Sequence, residues 1–231
     1  MTVDRPMTVD RPMTVDRLRR RAAVALVAAA PCAALLLAAA RWPSYWLWLA
    51  PEQTPMTFVQ AALLLLAATC AALSAAHATM SGQAGVTARR WSVLAAGFFA
   101  LMLDERFALH ERLRDGYLAG LGVGLPWGAP GDYLLAILLV AGLIALPWLW
   151  PVLRPDPLAR GLFLVAVALA GIAVISDTFD VNRMTLATER LQQSLEEVVE
   201  AVASACFAAS MAVALLPRLS QPDPALKQRE R

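Results

Sequence analysis

Histidine, lysine and cysteine are scarce in this 231-residue chain, which has two histidines, three cysteines and Lys227 as its one lysine. No Cys-x-x-Cys or Cys/His spacing links the cysteines, which excludes a zinc-finger or thioredoxin-like centre. Cys32, Cys70 and Cys206 each fall inside an apolar run, where a thiol behaves as a small hydrophobe. Charged residues make up 16% of the chain and the net charge is +2, so bulk charge gives no nucleic-acid footprint. Between the apolar runs the connections are short, leaving no room for a soluble domain.

Apolar residues are plentiful. They make up 59% of the chain, against about 45–50% in an ordinary soluble domain. Candidate spans cover Ala22–Ala40, Met56–Ala78, Trp91–Leu113, Tyr133–Trp150, Leu158–Ser176 and Leu191–Leu216. Each is near the length of about 20 residues that a bilayer core of about 30 Å requires. The expected fold class is therefore all-α, a polytopic transmembrane helix bundle of about six spans over residues 22–216.

A near-perfect MTVDRP repeat opens the chain, and four arginines, Arg17, Arg19, Arg20 and Arg21, precede the first span. Residues 1–21 are polar and lack apolar periodicity, so they are expected to be a disordered basic tail; residues 217–231 are expected to be a disordered polar tail. The first apolar run exceeds the usual signal-peptide core of about 7–15 residues and reads as an uncleaved span. The Gly-rich loop from Gly116 to Gly131 contains Gly120, Gly122 and Gly124 at alternate positions. No strand precedes it, so it reads as a flexible connection and not as a nucleotide fingerprint.

Carboxylates converge on one side. At about 1.5 Å rise per residue, Asp104 lies about 20 Å from Trp91 and Glu111 about 30 Å. Asp177 closes span five, and Glu196, Glu197 and Glu200 lie in the first turns of span six at similar depth. Acids inside a membrane are costly and mark functional sites by default. In an unbroken helix, Asp104, Glu111 and Asp115 share one face, with His110 about 120° away from Asp104. Facing acidic stripes repel unless a cation or an arginine lies between them. The expected metal ligands are thus Asp104, His110, Glu111, Asp177, Glu196, Glu197 and Glu200, holding a divalent iron, manganese or zinc ion. The rival is a network in which these acids pair with Arg106, Arg112, Arg114, Arg183 and Arg190. His77, at the opposite end of its span, cannot share this site. Passage of ions across the bilayer would need polar residues continuing inward, where Ser204 and Ser210 are nearly alone.

The stretch LDERFALHERL, with LEEVVEAV further on, resembles uncharacterised bacterial multi-pass membrane proteins that carry Asp-Glu-x4-His-Glu and a later Glu-Glu pair. The matching residues are Asp104, Glu105, His110, Glu111, Glu196 and Glu197. The resemblance implies a membrane bundle and no known activity. Alkaline ceramidase-like hydrolases use several histidines for zinc, and only His110 is on the correct side here. Rhomboid-like proteases fail for want of Gly-x-Ser-x-Gly, and zinc proteases for want of His-Glu-x-x-His.

The sequence therefore reads as a bacterial inner-membrane protein with a carboxylate/His metal pocket at the periplasmic face, acting on a lipid or other amphipathic substrate. The alternatives are a non-catalytic accessory subunit and a small ion- or proton-coupled transporter. Its expected partner is the lipid bilayer; no nucleic acid is expected. Orientation follows the arginine bias. The segments holding Arg17–Arg21, Arg89, Arg90, Arg154, Arg160, Arg218, Lys227, Arg229 and Arg231 outweigh those holding Arg41, Arg112, Arg114, Arg183 and Arg190. Both termini are expected in the cytoplasm. Alkaline phosphatase fused after Arg231 should be inactive and a fluorescent protein fused there bright; the opposite pair of results reverses the orientation.

Overall fold

The computed structural model describes residues 11–121, 133–177 and 184–220. Among them there is helix and no strand, as the apolar runs require. In hydrocarbon every backbone N–H and C=O must be satisfied within the protein, and a helix does this by itself. The long helices are α1 (Arg11–Ala40), α3 (Pro55–Met80), α4 (Gly85–Phe107), α6 (Tyr133–Leu153), α7 (Pro157–Asp177) and α8 (Leu186–Leu219). These are the six helices of the described residues long and apolar enough to cross a membrane. Two short helices lie near one end of the bundle: α2 (Trp46–Leu49) before α3, and α5 (Leu109–Leu113) directly after α4.

Helix α1 begins at Arg11, so residues 11–21, expected as disordered tail, are helical. The reason is tertiary. Arg19 donates from Nε to the Val213 carbonyl of α8 at 3.3 Å and forms an ion pair with Asp156 before α7. Similarly, α8 continues past the expected tail boundary to Leu219. The first ten residues, and residues 221–231, lie outside the described residues, as do Arg183 and the part of the Gly-rich loop from 122 to 132. Residues 116–121 of that loop, expected as flexible connection, fall in a π-helical turn that begins at Arg114 and a 3-10 turn that ends at Leu121.

Helix α8 is the central element and packs on α1, α3 and α7, while α4 packs on α3. Its 34 residues span about 51 Å, well beyond a hydrocarbon core of about 30 Å. The second half is built of small side chains. Ala201, Ala205, Ala208, Ala209 and Ser210 are all completely buried, because small residues let helix backbones approach closely where no hydrophobic force drives association. Ser210 Oγ uses that proximity to donate to the Ala159 carbonyl of α7 at 2.7 Å. Three rings bridge the remaining gaps: Phe207 of α8 lies 5.1 Å from Phe98 of α4 and 5.3 Å from Phe163 of α7.

The ends of the bundle differ chemically. Antiparallel succession brings Arg19, Arg89, Arg90 and Arg218 to one end. There Arg218 lies 4.6 Å over the Trp91 ring, and Arg89 and Arg90 lie 5.5 and 5.6 Å from Trp148. At the other end stand the carboxylates. His77, near the carboxyl end of α3, is paired with Ser81 at the arginine end, apart from them.

Asp156 has two roles at the arginine end. Its Oδ1 accepts from the backbone N–H groups of Leu158 and Ala159, both at 3.1 Å, capping α7, whose first residue is Pro157. Its Oδ2 pairs with Arg19. Asp156→Ala should therefore cost about 1–2 kcal/mol, lowering the detergent thermal melt. Asp156→Asn keeps a capping oxygen and should recover most of the loss. Equal melting of the alanine variant and the wild type would remove the cap from this account.

Candidate metal centre

The third span does not continue as one helix to Leu113. Helix α4 stops at Phe107, and Ala108 takes the left-handed conformation (φ 48°, ψ 48°) before α5 restarts the chain. A left-handed alanine costs about 1–2 kcal/mol, so something must hold it. Asp104 does. Its Oδ1 accepts the His110 backbone N–H at 2.7 Å, and its Oδ2 lies 3.0 Å from His110 Nδ1. The break brings together two side chains that an unbroken helix would hold about 120° apart. The shared Asp104–Glu111–Asp115 stripe expected from helical phase is dissolved by the same break.

His110, so anchored, belongs to a first group of donors with Glu111 and Glu52, one ligand atom of each lying within 4.8 Å of the others. Glu52 comes from the linker between α2 and α3, and nothing in the sequence pattern singles it out. Burial, then Glu111, then Asp104 and Asp177 push the Glu52 carboxyl up to about 7, with His110 opposing. Burial works against the charged imidazole of His110. The Asp104 hydrogen bond and the charges of Asp104, Glu52 and Asp177 outweigh it, raising the ring to about 9. Arg114 holds Oε1 of Glu111 at 3.2 Å and Asp115 at 2.8 Å.

A second group lies between α4 and α8: Glu105, Glu197 and Glu200, again with ligand atoms within 4.8 Å of one another. Glu197 and Glu200 are one helical turn apart on α8 and share a face. Glu105 is the residue sequence phase passed over in favour of its neighbour Asp104. Gln60 of α3, completely buried, donates from Nε2 to the Glu197 carbonyl at 3.0 Å and reaches Glu200 Oε2 at 3.5 Å. A lone amide inside the run FVQAALLLL was the available sign of it.

Asp104, Asp177 and Glu196 belong to neither donor group, though each acts on members of them. Glu196 accepts from Gln192 Nε2 at 2.9 Å, and the same amide lies 3.1 Å from Ser176 Oγ near the end of α7. Asp177 follows Ser176 and acts electrostatically on both Glu52 and His110. Thus α7 contributes charge near the site, and Asp104 orients His110 through two hydrogen bonds.

Of the arginines expected to neutralise these acids, Arg114 does pair with Glu111 and Asp115, while two others lie against rings. Arg190 lies 4.0 Å over Trp46 and Arg106 lies 5.9 Å from Phe107. Among the described residues, no arginine forms an ion pair with Glu105, Glu197 or Glu200. Below the acids, the Ser74 and Ser210 hydroxyls donate to the Cys70 and Ala159 carbonyls.

No curated protein and no solved structure matches the chain. Residues 22–215 match the family described as Domain of unknown function (DUF8692), which covers nearly the whole helical bundle, and the chain belongs to that family.

Proposed function

We propose that this membrane protein binds a divalent transition metal through His110, Glu52 and Glu111 at the acidic end of the bundle. The observation that carries the reading is the hydrogen bond of Asp104 to His110 Nδ1. It fixes the ring and leaves Nε2 as the free ligand nitrogen, the carboxylate–histidine arrangement that supports metal ligands generally. One imidazole and two carboxylates suit iron, manganese or zinc. Three protein donors leave a coordination position for water or a substrate oxygen.

The site stands at the end of an apolar bundle, so the nearest substrates are lipids and other amphipathic molecules at headgroup level. With the arginine-rich end in the cytoplasm, the centre faces the periplasm of a bacterial inner membrane. The non-catalytic accessory role rests on arginine pairing; Arg114 on Glu111 and Asp115 supports it, and the stacking of Arg190 on Trp46 weighs against it.

The pH dependence has a definite sign. A metal needs the free imidazole nitrogen and the ionised carboxylate. His110 is protonated below about 9 and Glu52 below about 7. Binding must displace one proton between these values and two below the lower one. Affinity for Zn2+ or Mn2+ should therefore rise about tenfold per pH unit from 7 to 9, and more steeply below 7. Calorimetry in buffers of different ionisation enthalpy counts the protons released.

Metal analysis of protein purified without chelator tests the assignment of ligands. His110→Asn should remove the metal held at this centre, and Asp104→Asn should weaken its binding by about 10–100-fold. Arg190→Gln should leave the content unchanged. Folded wild-type protein that neither carries nor takes up metal ends this reading.

A further inference from the structure

We propose that Glu105, Glu197, Glu200 and Gln60 form a second cation site, made wholly of oxygen donors and selective for a hard divalent cation such as Mn2+, Mg2+ or Ca2+. It shares no ligand with the His110 centre and does not rest on it.

Oxygen atoms that bind one such ion at about 2.1–2.6 Å stand within about twice that distance of one another. One carboxylate oxygen each of Glu105, Glu197 and Glu200 lies within 4.8 Å of the other two. Like charges gathered in an apolar bundle need a compensating positive charge, and among the described residues no arginine provides it. An acidic group alone could be balanced by protons. Gln60 adds an independent sign.

The Gln60 side chain is completely buried, and both contacts of its amide are made by Nε2. Its Oε1 is buried without a hydrogen-bond partner, and so is Oε2 of Glu197, a residue that is only 7% exposed. Buried acceptors are nearly always satisfied. Here two acceptors are left over beside a set of further acceptors, and Nε2, 3.5 Å from Glu200, fixes the amide head at the edge of that set. A cation among the three carboxylates gives Oε2 of Glu197 its partner, beside the Gln60 amide that borders the set. No histidine or cysteine takes part in the group, and oxygen-only coordination favours hard ions over zinc or copper.

The helices suit the task. Glu197 and Glu200 project from the central helix, Glu105 from α4 and Gln60 from α3, so an ion here ties three spans together. Glu52 of the outer centre lies within electrostatic reach of Glu105 and Glu200, so the two sites are neighbours.

The test is a titration of the full-length, detergent-purified protein with Mn2+ alone, followed by electron paramagnetic resonance. The variants are His110→Asn, Glu105→Gln, Glu200→Gln and Gln60→Leu, with thermal melts to report folding. Wild-type protein should bind two Mn2+ per chain and His110→Asn one. The ion retained in His110→Asn should be displaced by Ca2+ or Mg2+. Glu105→Gln and Glu200→Gln should each lose that ion, and Gln60→Leu should weaken it by about tenfold. Gln60→Leu also carries the test if a glutamate variant fails to fold. A single Mn2+ lost in Glu105→Gln but kept in His110→Asn supports this site while the His110 reading fails. A single Mn2+ lost in His110→Asn but unaffected by Glu105→Gln and Gln60→Leu overturns it, with protons balancing the charge.

Discussion

The close approach of α8 to its neighbours is the constraint on which the rest of the bundle depends. In lipid, association gains nothing from excluding water, so contact must come from fit and from interhelical hydrogen bonds. The run from Ala201 to Ser210 provides both, through buried alanines and the Ser210 bond to the Ala159 carbonyl. Replacing that face with branched residues would push α1, α3 and α7 outward. The carboxylates of the amino-terminal half would separate with them, since they meet residues of α3 and α4 only across those same short distances.

The acidic end follows from the same helix. Its length of about 51 Å exceeds a hydrocarbon core of about 30 Å, and Glu197 and Glu200 lie in its amino-terminal half, where Glu197 is buried. Three of the residues gathered there, Glu52, His110 and Glu111, lie outside the spans. The two donor groups differ in chemistry because of the Ala108 break. It turns His110 back to Asp104 and sets Glu111 beside Glu52, while Glu105 stays on the α4 face turned to α8. One left-handed residue thus separates a donor group that includes a histidine from one made of carboxylates alone.

Arginine has an unexpected place in this fold. Near the spans its guanidinium lies over tryptophan, as with Arg190 and Trp46 or Arg218 and Trp91. Stacking on a ring offsets part of the cost of drawing a cation toward the bilayer, and both residue types favour the headgroup region. The consequence is electrostatic. Arg114 pairs with Glu111 and Asp115, but among the described residues no arginine pairs with Glu105, Glu197 or Glu200.

Span number, fold class and the gathering of acids at one end were legible in the sequence, because length, apolarity and charge position are properties of each segment alone. Asp104, His110, Glu111 and the Glu-Glu pair could be named for the same reason. Their roles could not. Helical phase assumes an unbroken helix, and the stop at Phe107 is held by Asp104, a side chain whose grip exists only after folding. Glu52 sits in a linker without periodicity, and Gln60 is one amide in an apolar run; neither carries a local signal of its neighbours. Likewise, the helix from Arg11 forms in a polar stretch because Arg19 finds Val213 and Asp156 on other elements. What belongs to one segment was readable from its residues. What depends on two segments meeting, above all which carboxylate oxygens come within 4.8 Å of one another, was decided by tertiary packing.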